Sequence, residues 1–150
     1  MSVAPFIATP EPIVRQILNL ARLRPKELLY DLGAGDGAII FIAAKEYGAK
    51  AIGIELDPER AEQVRTKNVA GVIVLTGDFF EVDLSNADVV TCYLTDPPMA
   101  RLGRKLRDEL KNGARVVSHN YEIPNWKAIT IEGCPNHQGH RLILYESSKS

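Results

Sequence analysis

One seven-residue stretch, Asp31-Leu-Gly-Ala-Gly-Asp-Gly37, constrains this chain more than any other. It closes Leu28-Leu-Tyr-Asp-Leu32, whose lack of alternation reads as a strand buried on both faces. It leads into residues 38–47, which read as a helix. Three glycines let the backbone turn sharply and let a ligand come close to the main chain. Strand, glycine turn and helix together open a parallel α/β sheet, whose ligands lie beyond the carboxyl ends of the strands.

The alternation continues. Residues 51–55 read as a second strand, and Asp57-Pro58-Glu59 caps a helix reaching about Lys67. Residues 72–75 and 87–94 read as the third and fourth strands, with only 79–86 left for an abbreviated crossover. Met99, Leu102, Leu106 and Leu110 stripe a helix that Asn112-Gly113 ends. A fifth strand covers 115–118, and two more are expected around 126–131 and 141–146. With no helix between them, the last two are expected to form an antiparallel pair at one edge. Upstream, a helix is predicted over 11–23, with Thr9 as N-cap and Pro10 as its first residue, stopped by Arg24-Pro25. The expected architecture is α/β: one domain over residues 1–150 with a doubly wound, mostly parallel sheet.

Composition narrows the function. The chain has 18 Lys plus Arg against 19 Asp plus Glu, a net charge of −1, so it lacks the basic excess of a nucleic-acid binder. Its longest clear apolar run, residues 38–44, is far short of a membrane span, and the first residues do not resemble a signal peptide. Cys92 and Cys134 stand apart without ligand spacing. A cytoplasmic, metal-free protein is expected, with no nucleic-acid partner.

The carboxylates select the ligand. Glu55 ends the second strand, 22 residues beyond Gly33, where a carboxylate accepts both ribose hydroxyls. Gly77-Asp78-Phe79 follows the third strand and offers a carboxylate and a flat apolar ring for an adenine. Gly33, Gly35 and Ala38 also fit the dinucleotide pattern GxGxxG/A. Against that reading, Asp31 and Asp36 would repel a pyrophosphate, and 150 residues leave little room for a second nucleotide half. S-adenosylmethionine carries an adenosine, no phosphate and two cationic centres, which acidic residues attract.

Asp31-Leu-Gly-Ala-Gly-Asp-Gly37, Gly53-Ile-Glu55 and Gly77-Asp-Phe-Phe80 resemble the Rossmann-like S-adenosylmethionine-dependent methyltransferases. Thr9-Pro10-Glu11, Gly77-Asp-Phe-Phe-Glu-Val-Asp83, Ala87-Asp-Val-Val-Thr91 and Gly113-Ala-Arg-Val-Val-Ser-His119 carry the likeness further. They are similar to small archaeal protein-lysine methyltransferases and to mitochondrial enzymes that modify an ATP synthase subunit. The resemblance implies a seven-stranded sheet with an antiparallel edge strand, and transfer of a methyl group that leaves S-adenosylhomocysteine. It assigns Asp31 and the Gly33, Ala34 and Gly35 backbone to the methionine end, Glu55 and Leu56 to the ribose side, and Asp78 and Phe79 to the adenine. Residues 1–24 would form a lid segment and helix, with Phe6 and Thr9 as lid contacts.

Tyr93, His119 and Tyr121 stand at the ends of the fourth and fifth strands and are the candidates on the acceptor side. Tyr93 is placed both beside the cofactor and as the residue that orients the amine. Asp96-Pro-Pro-Met99 resembles a motif that grips amides or base amino groups, but Met99 replaces its aromatic ring; a proline turn capped by Asp96 is the plainer reading. Trp126 is a candidate channel wall or an edge-strand core residue, and Cys134, His137 and His140 lack a fourth metal ligand. The leading expectation is an N-methyltransferase acting on protein lysine. The alternatives are a small-molecule, glutamine or base N-methyltransferase, and a cofactor-binding subunit that needs a partner.

Overall fold

In the computed structural model, which describes residues 8–94 and 98–149, the expected alternation is realised. The elements are α1 (Glu11–Leu20), β1 (Leu28–Leu32), α2 (Ala38–Tyr47), β2 (Lys50–Glu55), α3 (Pro58–Arg65) and β3 (Val72–Thr76). A single 3-10 turn (Phe79–Glu81) leads to β4 (Val89–Cys92), α4 (Pro98–Glu109), β5 (Arg115–His119), β6 (Thr130–Gly133) and β7 (Arg141–Glu146). The strands form one seven-stranded sheet in the order β3-β2-β1-β4-β5-β7-β6. Only β7 runs against the rest, pairing antiparallel with both β5 and β6. The antiparallel pair therefore sits at one edge as expected, with β6 outermost.

Alternation along the buried strands divides two core layers. Leu29, Val89 and Val117 face α1 and α2, whereas Tyr30, Val90 and Val116 face α4. Asp31, Thr91 and His119 share the phase of the first set, so three polar side chains continue the α1/α2 face beyond its apolar floor. Arg115 ties α1 to this sheet: it donates to the carbonyls of Ala21 and Arg22 and pairs with Glu27 at 2.6 Å. Burial pushes the Glu27 carboxyl up, but the Arg115 guanidinium and the hydrogen bonds from Arg24 together hold the group below the usual carboxylate range.

Several boundaries differ from the sequence reading for identifiable reasons. The first helix stops at Leu20 because Arg22 adopts a left-handed φ of 53°, while Arg22 N–H and Leu23 N–H return to the carbonyls of Asn19 and Leu18. Pro10, not Thr9, occupies the N-cap, and no side chain caps it. Asp96 and Pro97 lie outside the described residues, as does Phe6. The sixth strand begins at Thr130, because Trp126 sits in the preceding loop. Its indole N–H donates to the Gly103 carbonyl of α4, and its ring meets Tyr145 edge-on at 6.0 Å. Trp126 is therefore neither an edge-strand residue nor a channel wall.

The shortened connection between β3 and β4 has a visible result. Ile73 and Leu75 on β3 are 56% and 39% exposed, because a single 3-10 turn stands where a crossover helix would cover that face. At the free edge of β3, Arg65 donates two hydrogen bonds to the Val74 carbonyl, at 3.1 and 2.9 Å, and a third to Thr76. Gly53, in mid-strand on β2, is where the glycine turn packs down. An added Cβ would stand 2.7 Å from Ala34 Cβ and 2.9 Å from Ile40 Cδ1. Gly53→Ala is expected to lower stability by roughly 1–3 kcal/mol, read as a fall in the urea midpoint at unchanged slope.

Candidate active site

β1, β2, β4 and β5 end around a cavity of about 480 Å³. Twelve residues selected from the sequence line it: Thr9, Asp31, Gly33, Ala34, Gly35, Glu55, Leu56, Asp78, Phe79, Tyr93, His119 and Tyr121. A larger, shallower groove of about 810 Å³ runs between α1 and β6. Several of its polar side chains are already paired: Gln16 to Glu132 and Gly133, Arg15 to Glu46, and Asn19 to Tyr47.

The glycine turn is built by hydrogen bonds to the end of β2. Gly33 and Ala34 N–H both donate to the Ile54 carbonyl, and Gly35 N–H donates to Glu55 Oε1 at 2.8 Å. Gly33 has φ +87°, and a Cβ there would meet nothing within 4 Å, so open space adjoins the backbone at the turn. Asp36, which also lines the cavity, accepts from the N–H of Ala38, the first residue of the following helix, whose N-cap is Gly37.

Glu55 is 4% exposed and more heavily bonded than its position suggested. Its Oε2 accepts from Asp57 N–H at 3.0 Å and pairs with Arg60 at 3.5 Å. Arg60 also reaches Asp57 at 3.6 Å and lines the cavity. A carboxylate offers about four acceptor positions; three are taken here, which leaves one on Oε1 for a ligand hydroxyl, and a second hydroxyl reaches Oε2 by displacing the long contact of Arg60.

Asp31 is the most perturbed acid. It is 4% exposed, and burial, opposed by a hydrogen bond from Thr91 Oγ1 at 2.8 Å and aided by Glu55 and Asp36, pushes its carboxyl up to about 7. Asp31, Asp36, Glu55 and Asp78 line one space with Arg60 as the nearby cation. Such a donor set suits a cationic ligand and opposes a phosphate. Asp78 accepts from Phe80 N–H, which sets Phe79 half-buried at the cavity edge.

Aromatic rings form the opposite wall. Tyr93 follows the last paired residue of β4, free of the ladder, and stacks on His119 with centroids 4.0 Å apart; Tyr121 lies 6.3 Å from Tyr93. His119 is 2% exposed, and burial lowers its pKa to about 4, with His140 adding to the effect. Its Nε2 bonds to His140 Nδ1 at 2.8 Å, and its Nδ1 has no hydrogen-bond partner among the described residues. His119 is therefore neutral near pH 7. His140, grouped by the sequence with Cys134 and His137, stays beside them in its loop and also bonds to His119 of this wall.

Sequence reading missed Thr91, Arg60, Asn120 and His140. Arg60 carries a signal, since it falls one helical turn beyond the acid pair it joins. The others have none: Thr91 meets Asp31 across 60 residues, and His140 meets His119 across 21.

Known proteins share this arrangement. Residues 31–130 match the model of the ANTKMT methyltransferase domain. A protein-lysine N-methyltransferase of Saccharolobus islandicus is 40% identical, over 94% of this chain and 92% of that one. An adenine nucleotide translocase lysine N-methyltransferase of Mus musculus is 33% identical over 86% of this chain, which spans only 58% of that protein. An RNA methyltransferase from Salinibacter ruber, solved with S-adenosyl-L-homocysteine, superimposes with a TM-score of 0.90 at 34% identity, covering 96% of this chain and 95% of that one. On these matches and this site, the chain belongs to the ANTKMT methyltransferase domain family and is an S-adenosylmethionine-dependent methyltransferase.

Proposed function

We propose that the acceptor is the side-chain amine of lysine in a protein. The observation that carries this reading is the uncharged aromatic wall of Tyr93, His119 and Tyr121 facing the acid-lined half of the cavity. A neutral His119 adds no positive charge to this wall that would repel an incoming ammonium. The 40% identity to a protein-lysine N-methyltransferase supports the same reading.

When bound, the cofactor supplies a methyl carbon activated by its sulfonium. In this proposal Asp31 holds the cofactor's ammonium, Glu55 the ribose hydroxyls, Phe79 and Asp78 the adenine, and Thr9 covers the pocket. Leu56 and the Gly33, Ala34 and Gly35 backbone shape its floor. Tyr93 accepts a hydrogen bond from the amine and turns the nitrogen lone pair toward the methyl group. A lysine of pKa about 10.4 must first lose a proton, costing roughly 4.6 kcal/mol at pH 7. With His119 lowered to about 4, no strong base stands in the wall, so the proton leaves to water as the amine is desolvated.

The name of the Salinibacter ruber structure favours a second reading, an RNA acceptor. A net charge of −1 and four acids around the cavity oppose it. The pure protein would be incubated with methyl-labelled cofactor and a cell extract, then treated with protease or ribonuclease. Label released by protease and mapped to lysine by mass spectrometry is expected. Label released by ribonuclease, or tight cofactor binding without transfer, overturns the proposal.

A further inference from the structure

We infer that Asn120 is a positioning residue for methyl transfer, acting through the hydroxyl of Tyr93; this rests on the proposed role of Tyr93. Asn120 follows β5 with a left-handed φ of 68°. Its backbone N–H donates to the Arg141 carbonyl at 2.8 Å, and Arg141 Nε donates to its carbonyl at 3.2 Å. Its side-chain Oδ1 accepts from Arg141 N–H at 2.9 Å, and its Nδ2 donates to Tyr93 Oη at 3.2 Å.

The direction of the last bond follows from the others. A backbone N–H can only donate, so the amide oxygen must face Arg141 and the amide nitrogen must face Tyr93. Tyr93 Oη therefore accepts from Asn120, and its own hydrogen turns elsewhere. Tyr93 needs this support because it has left the β4 ladder, where backbone pairing ends at Cys92. The His119 stack sets the plane of its ring, and Asn120 sets the place of its oxygen. In-line displacement makes that placement costly to lose, since an error of about 1 Å can cost about a hundredfold in rate.

The test is a double-substitution cycle on the full chain. Asn120→Gly keeps the left-handed backbone without strain and retains both main-chain bonds to Arg141 while removing the amide. It is expected to lower kcat about tenfold and to change the Kd for S-adenosylmethionine less than twofold. Tyr93→Phe alone is expected to lose a similar factor, and adding Asn120→Gly to it should cost nothing further. Should Asn120→Gly melt below the assay temperature, Asn120→Asp takes its place, since it keeps the Arg141 bond without a donor toward Tyr93. Its effect on kcat is then expected only where the Tyr93 hydroxyl is present. Equal factors in both backgrounds, or unchanged kcat in the single Asn120 variant, overturn the inference. If Tyr93→Phe matches the parent protein, the Tyr93 reading falls with it; if Tyr93→Phe is impaired and the Asn120 variant is not, only the Asn120 step fails.

Discussion

Asp31→Asn is expected to raise the melting temperature of the ligand-free protein above pH 7 while destroying its affinity for S-adenosylmethionine. Burial lifts this carboxyl from an ordinary 3.8 to about 7, so the folded chain prefers it protonated. Its contribution to stability is complete below pH 3.8 and is lost as pH rises through 7. The loss is on the order of 4 kcal/mol. A neutral amide of the same shape removes that penalty, and a gain of about 5–10 °C at pH 8 is expected by calorimetry. Binding follows the opposite logic, because a cationic ligand needs the ionised acid. Below pH 7 the acid must shed a proton to bind, so the parent protein should lose roughly tenfold in affinity per pH unit between 7 and 5. In Asp31→Asn the affinity should be at least about a hundredfold weaker at pH 8, and the pH slope from this group should vanish. A Kd independent of pH in the parent protein would contradict the assignment.

Glu55→Ala is expected to collapse cofactor binding and to destabilise the ligand-free chain as well, in contrast to Asp31→Asn. The carboxylate already accepts from Gly35 and Asp57 N–H and faces Arg60. Removing it strands two backbone donors and leaves Arg60 with Asp57 but without Glu55, costing about 2–3 kcal/mol of stability. Two lost ribose bonds of the charge-assisted kind add roughly 3 kcal/mol or more to binding, above a hundredfold in Kd. Titration calorimetry and thermal melts on one preparation separate the two effects. Unaltered affinity in this variant would remove Glu55 from the nucleoside site.

Positions governed by short-range rules were legible. β1, α2 and β7 carry their own boundaries, and the acids at the ends of β1 and β2 stand one strand apart in the order the glycine turn demands. What the sequence concealed depends on contacts between distant segments. The α1 terminus is decided by Arg22 folding back onto Asn19 and Leu23 onto Leu18, a backbone choice that Arg24-Pro25 overshadows. Trp126 reads as a strand residue until its partner on α4 is known. The aromatic wall is half legible: Tyr93 and His119 end their strands, but Asn120 and His140 join them only because β7 returns alongside β5.

The bare row on β3 has a consequence for assembly. A sheet margin with oily side chains on one side invites other chains to add on, as fibrils grow. Here the rung that such a newcomer would need, the Val74 carbonyl, is already held by the Arg65 guanidinium. Neighbours can rest against Ile73 and Leu75, but they cannot extend the ribbon without first evicting a positive charge.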